Sequence, residues 1–444
     1  MQRTDRLGNP FSGASAAAVQ AFEEALHEFQ CYIGDPVATI GKALADSPDF
    51  VMGHAFNAYL HLLGTEPLAL PVARAALETA QRLPADARER AHLAALAQLA
   101  GGAWHAAGRA LEDIAIDHPR DALALQAGHV VDFYTGASRM LRDRIARALP
   151  AWSPDMPGYH AILGMHAFGL EETGLYARAE ASGRRAVELE PRDGWAQHAV
   201  AHVMEMEGRQ REGIAWMRDN APAWSRNSFF AVHNWWHVAV FHLDVDEVDE
   251  ALALFDGPIY GARSQVVLDM IDASALLWRL LLRGVDAGAR WQAVADAWAP
   301  LAGAHHYVFN DTHAMMAFVG GDRREAADIV LRSLARAEAG HDDNARFTRE
   351  VGGPVTRAIH AFGMGHHAEA VRLLRPVRNI AYRFGGSHAQ RDLIDLTLIE
   401  AALRDGQRAL ARALAAERID LKPASPAARA LLRRAAGATL PLAA

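Results

Sequence analysis

Apolar residues recur along the chain at three- and four-residue steps, the spacing of α-helices that each bury one face. Apolar–polar alternation and β-branched runs are scarce, while Ala, Leu, Arg and Glu abound. The pattern predicts an all-α protein of about twenty helices, each of roughly 10 to 18 residues. Gly and Pro punctuate them at Gly34-Asp35-Pro36, Leu83-Pro84, Gly101-Gly102, His118-Pro119, Glu190-Pro191, Gly320-Gly321 and Gly385-Gly386. No linker between these marks is long enough to set off an independent domain. Residues 1–444 are therefore expected to form one α-solenoid domain.

One form of helix end repeats. Ala43-Leu44-Ala45-Asp46-Ser47-Pro48-Asp49 is echoed by Ile114-Ala115-Ile116-Asp117-His118-Pro119-Arg120-Asp121 and by Ala186-Val187-Glu188-Leu189-Glu190-Pro191-Arg192-Asp193. In each, a proline stops one helix and an acidic residue stands ready to cap the next. The prolines are 71 and 72 residues apart, close to two tetratricopeptide periods of about 34 residues. The clearest unit runs from Tyr176 through Ala179 and Ala186 to Pro191, with Trp195 opening the next helix and Gly208 ending it. The small residues let the helices of a hairpin approach closely. The expectation is a right-handed solenoid of stacked hairpins, whose first helices line an inner, concave face.

Composition narrows the chemistry. Half of the residues are apolar and the net charge is a mild -8, which suits a packed core and argues against a nucleic-acid partner. Cys31 is the only cysteine, so neither a disulfide framework nor a Cys-based zinc site is expected within one chain. Beside Phe29 and Tyr32, it reads as a core residue. A single cysteine, the polar opening Met1-Gln2-Arg3-Thr4-Asp5-Arg6 and the lack of any membrane-length apolar run lead to a cytoplasmic expectation. Lys42 and Lys422 are the only lysines, both in ordinary helix-end contexts, and no phosphate-binding loop is present. Gly363-Met364-Gly365-His366-His367 follows a helix and reads as a repeat turn.

The most informative feature is a ladder of histidines. His198 and His202 are four apart, with Glu205 three further on, near one helix face. His233-Asn234-Trp235-Trp236-His237 repeats the step, and each histidine follows its counterpart by 35 residues, one repeat period. The pairs therefore fall on the first helices of neighbouring repeats. His160 precedes them by about one period; Asp269, with Asp272 one turn further on, and then Asp311 and His313 follow at similar intervals. A lone histidine on an apolar face is most often a satisfied core residue. Two pairs in phase with the repeat point instead to a partly buried polar pocket. A second constellation, Gly385-Gly386-Ser387-His388-Ala389-Gln390-Arg391-Asp392, places a capped helix start beside Arg391, which could hold a carboxylate or phosphate. An ordinary capped helix with an Arg–Asp pair explains it equally well.

Two histidines four apart with an acidic neighbour can ligate zinc or iron. However, Ala199 stands where a zinc-protease motif needs Glu, and the ladder does not follow the Glu-x-x-His pattern of di-iron bundles. A metal-free site with no organic cofactor is the preferred expectation, with a bound metal as the rival.

Together, His198-Ala199-Val200-Ala201-His202-Val203-Met204-Glu205, His233-Asn234-Trp235-Trp236-His237, Phe309-Asn310-Asp311-Thr312-His313, Gly385 through Asp392 and Leu421-Lys422-Pro423-Ala424-Ser425-Pro426 resemble the tetratricopeptide repeat protein 38 family. The resemblance runs from Asp5 to about Arg434. It implies a superhelical tetratricopeptide-like fold and assigns no reaction, so function has to come from the site.

The expectation is a concave pocket for a small polar or anionic ligand, with hydrolysis or elimination by acid–base chemistry. His198, His202, Glu205, His233, His237, Asp311 and His313 would be the acid–base groups. His160, Trp236, Asp269, His388, Gln390, Arg391 and Asp392 would bind substrate. The alternative is a non-catalytic repeat scaffold that holds a protein or peptide. Neither a nucleic-acid nor a membrane partner is expected, and exposed helix edges suit a monomer or a homodimer.

Overall fold

Helix-rich composition and regular punctuation produce an all-α fold of tetratricopeptide-like hairpins. The computed structural model describes residues 3–437; Met1 and Gln2 of the polar opening lie outside them. Strand among the described residues is limited to the antiparallel pair Arg3–Thr4 and Pro10–Phe11 and one isolated bridge. Some helices, such as Ala221–Trp224 and Asp343–Phe347, are shorter than the expected range, at 4 and 5 residues. No helix among the described residues is long and apolar enough to cross a membrane.

The repeated helix ends form much as expected. Asp121 accepts the Ala124 N–H at 2.9 Å and Asp193 accepts the Ala196 N–H at 2.9 Å, so both cap the following helix. Asp49 does not. The capping position lies two residues beyond the proline, and in the first echo Phe50 occupies it without a side-chain bond. The Gly363–Gly365 stretch is a turn between helices, with Gly365 at φ 77°.

The chain divides into two compact units. The first runs through Val200 and takes in Asn220–Ala231; the second takes Ala201–Asp219 and the chain from Val232 onward. The division falls inside the helix Gly194–Met206.

In the first unit, the helix Val51–Leu63 packs on both Ala87–Ala100 and Ala122–Tyr134, and each of the three packs on the helix that follows it. Small residues permit this. A Cβ at Gly169 would fall 2.4 Å from the Arg142 backbone nitrogen, so the helix Tyr159–Glu171 needs glycine where it meets Ser138–Ala148. Tyr32 and Gly34 hydrogen-bond to Phe229 and Asn227.

In the second unit, Val267–Leu282, Val308–Gly320 and Gly353–Gly363 pack in succession, and His388–Arg404 returns to Val267–Leu282. Two buried bonds fix the return. Trp278 Nε1–H donates to Thr397 Oγ1 at 2.9 Å, and the Arg279 guanidinium donates to the Ala389 carbonyl at 2.6 Å. Asp269, Asp311 and His313 sit on these helices and are buried.

Candidate functional site

Three of the ladder histidines converge within the second unit. His202 is on Gly194–Met206; His233 and His237 are on Ala231–Asp244. The His202 and His237 ring centres lie 4.5 Å apart, and those of His233 and His237 lie 5.0 Å apart. One nitrogen from each lies within 4.8 Å of the others. All three rings are almost fully buried. The i, i+4 spacing puts His233 and His237 on one helix face, and the repeat brings His202 opposite.

Carboxylates orient two of the rings. His233 Nδ1–H donates to Asp272, at 2.9 and 3.0 Å from its two oxygens. His237 Nδ1 is 3.5 Å from a Glu205 oxygen. Lys422 Nζ lies 3.3 Å from the other Glu205 oxygen, both groups being buried. Burial alone would raise Glu205, but Lys422 and His237 outweigh it and hold the carboxyl well below its usual range. Burial lowers His202 and His237, and their mutual proximity adds to it for His202, while Glu205 opposes the shift in both. Both rings are therefore neutral at neutral pH.

The structure places the other expected residues differently. His198 belongs to the first unit, stacked on Phe168 at 5.5 Å and packed against Trp195 and Phe230. Trp236 is fully buried, stacked on His233, with the Arg279 guanidinium 5.0 Å over its ring. Asp269 lies one turn before Asp272 on Val267–Leu282. Asp311 does not orient a ladder histidine: it pairs with His305 Nδ1 at 2.5 Å, and burial raises its carboxyl despite that partner. His313 donates from Nδ1 to the Phe309 carbonyl at 2.8 Å, and burial lowers its pKa to about 4. His313 lines a cavity of about 20 Å³ together with Gln390 and Arg391.

The 387–392 segment is built as a capped helix start. Ser387 and Gln390 form a reciprocal capping box, with Gln390 Oε1 accepting the Ser387 N–H at 3.0 Å. Gly386 has φ 80°, and a Cβ there would sit 2.7 Å from the Phe309 ring. Arg391 donates to the Gly386 carbonyl and lies 3.4 Å from His388 Nδ1. Asp392 pairs through both oxygens with Arg418, and that pairing, against the cost of burial, lowers it to about 2. These contacts show local structural roles for Gln390, Arg391 and Asp392.

In the first unit, His–Asp pairing belongs to the repeat itself. His160 Nδ1–H donates to Asp193 at 2.8 Å and His92 Nε2–H donates to Asp121 at 2.9 Å, so each ties a helix to the cap of another. Arg88 also holds Asp121. His160 thus locks two helices, whatever else it touches. Sequence reasoning places Asp272 on the ladder without pairing it with His233, and it misses Lys422 as part of the site. Lys422 sits at an ordinary helix end, and nothing local signals that it reaches Glu205. Cys31, read from the sequence as a core residue, is buried with its sulfur close to His27 and His160, the three offering donor atoms within 4.8 Å of one another.

No family model matches the chain. Among solved structures, the crystal structure of the yeast Tom70 is similar over 95% of this chain and 87% of that one, with 13% identity and a TM-score of 0.34. The repeat fold described above rests on the chain's own helices.

Proposed function

We propose that the second unit binds a small polar or anionic molecule at the cluster of His202, His233 and His237, and that its imidazoles exchange protons with it. The observation that carries this reading is the convergence of three buried imidazoles, two of them on buried carboxylates. Repeat packing does not require so many: one His–Asp pair locks each of the two joints described in the first unit. Neutral His202 and His237 are in the form that accepts a proton, and Lys422 offers a positive charge beside them. Hydrolysis or elimination suits this set. The resemblance of the motifs to the tetratricopeptide repeat protein 38 family implies the fold and names neither a reaction nor a substrate. A cytoplasmic protein fits its single, buried cysteine.

A second reading has its own support. The three rings are almost wholly buried, and the same residue types do structural work at His92–Asp121 and His160–Asp193. On that reading the chain is a repeat scaffold for a protein or peptide, and the imidazoles lock its helices. Urea denaturation of His202→Leu separates the two. A residue held for ligand chemistry is replaced by an apolar one of similar size at a cost below about 1 kcal/mol, or with a gain. A loss of about 2 kcal/mol or more would favour the locking role.

A further inference from the structure

We propose that His27, Cys31 and His160 form a site in the first unit for one zinc-type transition-metal ion. His27 and Cys31 lie one turn apart at the end of the helix Ala16–Cys31, and His160 opens the helix Tyr159–Glu171. Their donor atoms lie within 4.8 Å of one another, with Cys31 Sγ 3.9 Å from His27 Nδ1. Tetrahedral zinc with its usual Zn–S and Zn–N bonds separates sulfur from nitrogen by about 3.6 Å, so a small contraction completes the set. One thiolate and two imidazoles form a borderline-soft donor set that selects zinc over magnesium or calcium.

The surroundings fit a ligand role. Asp193 accepts from His160 Nδ1, which fixes the ring and leaves Nε2 as its donor. His27 Nε2 lies 3.0 Å from Arg192 and 3.8 Å from Glu190. When the metal takes His27 Nδ1, the ring proton moves to Nε2, where it faces the Glu190 carboxylate, and Nε2 no longer accepts from Arg192. The Cys31 thiol releases its proton to solvent as the S–metal bond forms; until then burial, with Asp193 and Glu190, holds it protonated. A cavity of about 330 Å³ is lined by both histidines and by Gln30, Glu23 and Glu190, so a water or small ligand can complete the fourth position.

The test uses the full chain, purified without a histidine tag and stripped of metal, with Co²⁺ as the probe. One equivalent is expected to give a tetrahedral spectrum with a thiolate-to-cobalt charge-transfer band, which added Zn²⁺ removes. Cys31→Ala should abolish that band. His27→Gln, at a half-exposed position that leaves the core intact, should weaken cobalt binding roughly tenfold or more. Cobalt bound without the thiolate band, a band that survives Cys31→Ala, or unchanged affinity in His27→Gln would each overturn the proposal.

Discussion

Burial holds His313 in its neutral form, and this makes the protein sensitive to acid before its carboxylates titrate. The folded ring has a pKa of about 4, set first by burial, with the Phe309 carbonyl opposing. In the unfolded chain it protonates near 6.5. Its contribution to stability is therefore complete above pH ~6.5 and is lost as pH falls towards 4, by about 3 kcal/mol in all. Urea midpoints measured from pH 8 to 4 should fall from about pH 6.5 downward in the wild type. They should fall less steeply in His313→Met, and equal slopes would contradict this account. The sequence marks His313 as a candidate but not its bond to its own helix, because that bond depends on the rotamer. Glu205 and Lys422 show the same limit over a longer range. They stand 217 residues apart, and only the packing of distant helices makes them partners.

Helix ends are the elements the sequence states best. The prolines at 48, 119 and 191 mark helix stops, and Asp121 and Asp193 cap the helices that follow. Asp49 misleads because it lies one residue short of the capping position. What the sequence does not show is that each capping carboxylate also receives a histidine from another helix. Asp121 is the stronger case, since its oxygens meet the Ala124 amide, His92 and the buried Arg88. Asp121→Asn keeps an acceptor for the amide but removes the charge opposite Arg88. A loss of about 3 kcal/mol or more is expected from the unpaired guanidinium. Asp121→Ala should cost about 1 kcal/mol further, the value of the cap. Equal denaturation midpoints for the two variants would show that the cap contributes nothing.

For the molecule as a whole, hydrophobic periodicity carries the all-α repeat fold, because each hairpin buries a face that its neighbours complete. The histidine ladder carries part of the site. It identifies His202, His233 and His237, whose spacing follows the repeat, and also His198, which packs among aromatics of the first unit. Asp272 shares its rhythm, 35 residues after His237, but the spacing does not say that it pairs with His233, and Lys422 lies outside the rhythm altogether. The central claim is that these second-unit imidazoles serve a small ligand. Equilibrium dialysis of the full chain against a cell metabolite extract, read by mass spectrometry, tests it most directly. The account predicts that the wild type retains one or a few small polar or anionic molecules that the His233→Gln, His237→Gln double variant does not retain. Identical retention by both proteins, or none by the wild type, would contradict it.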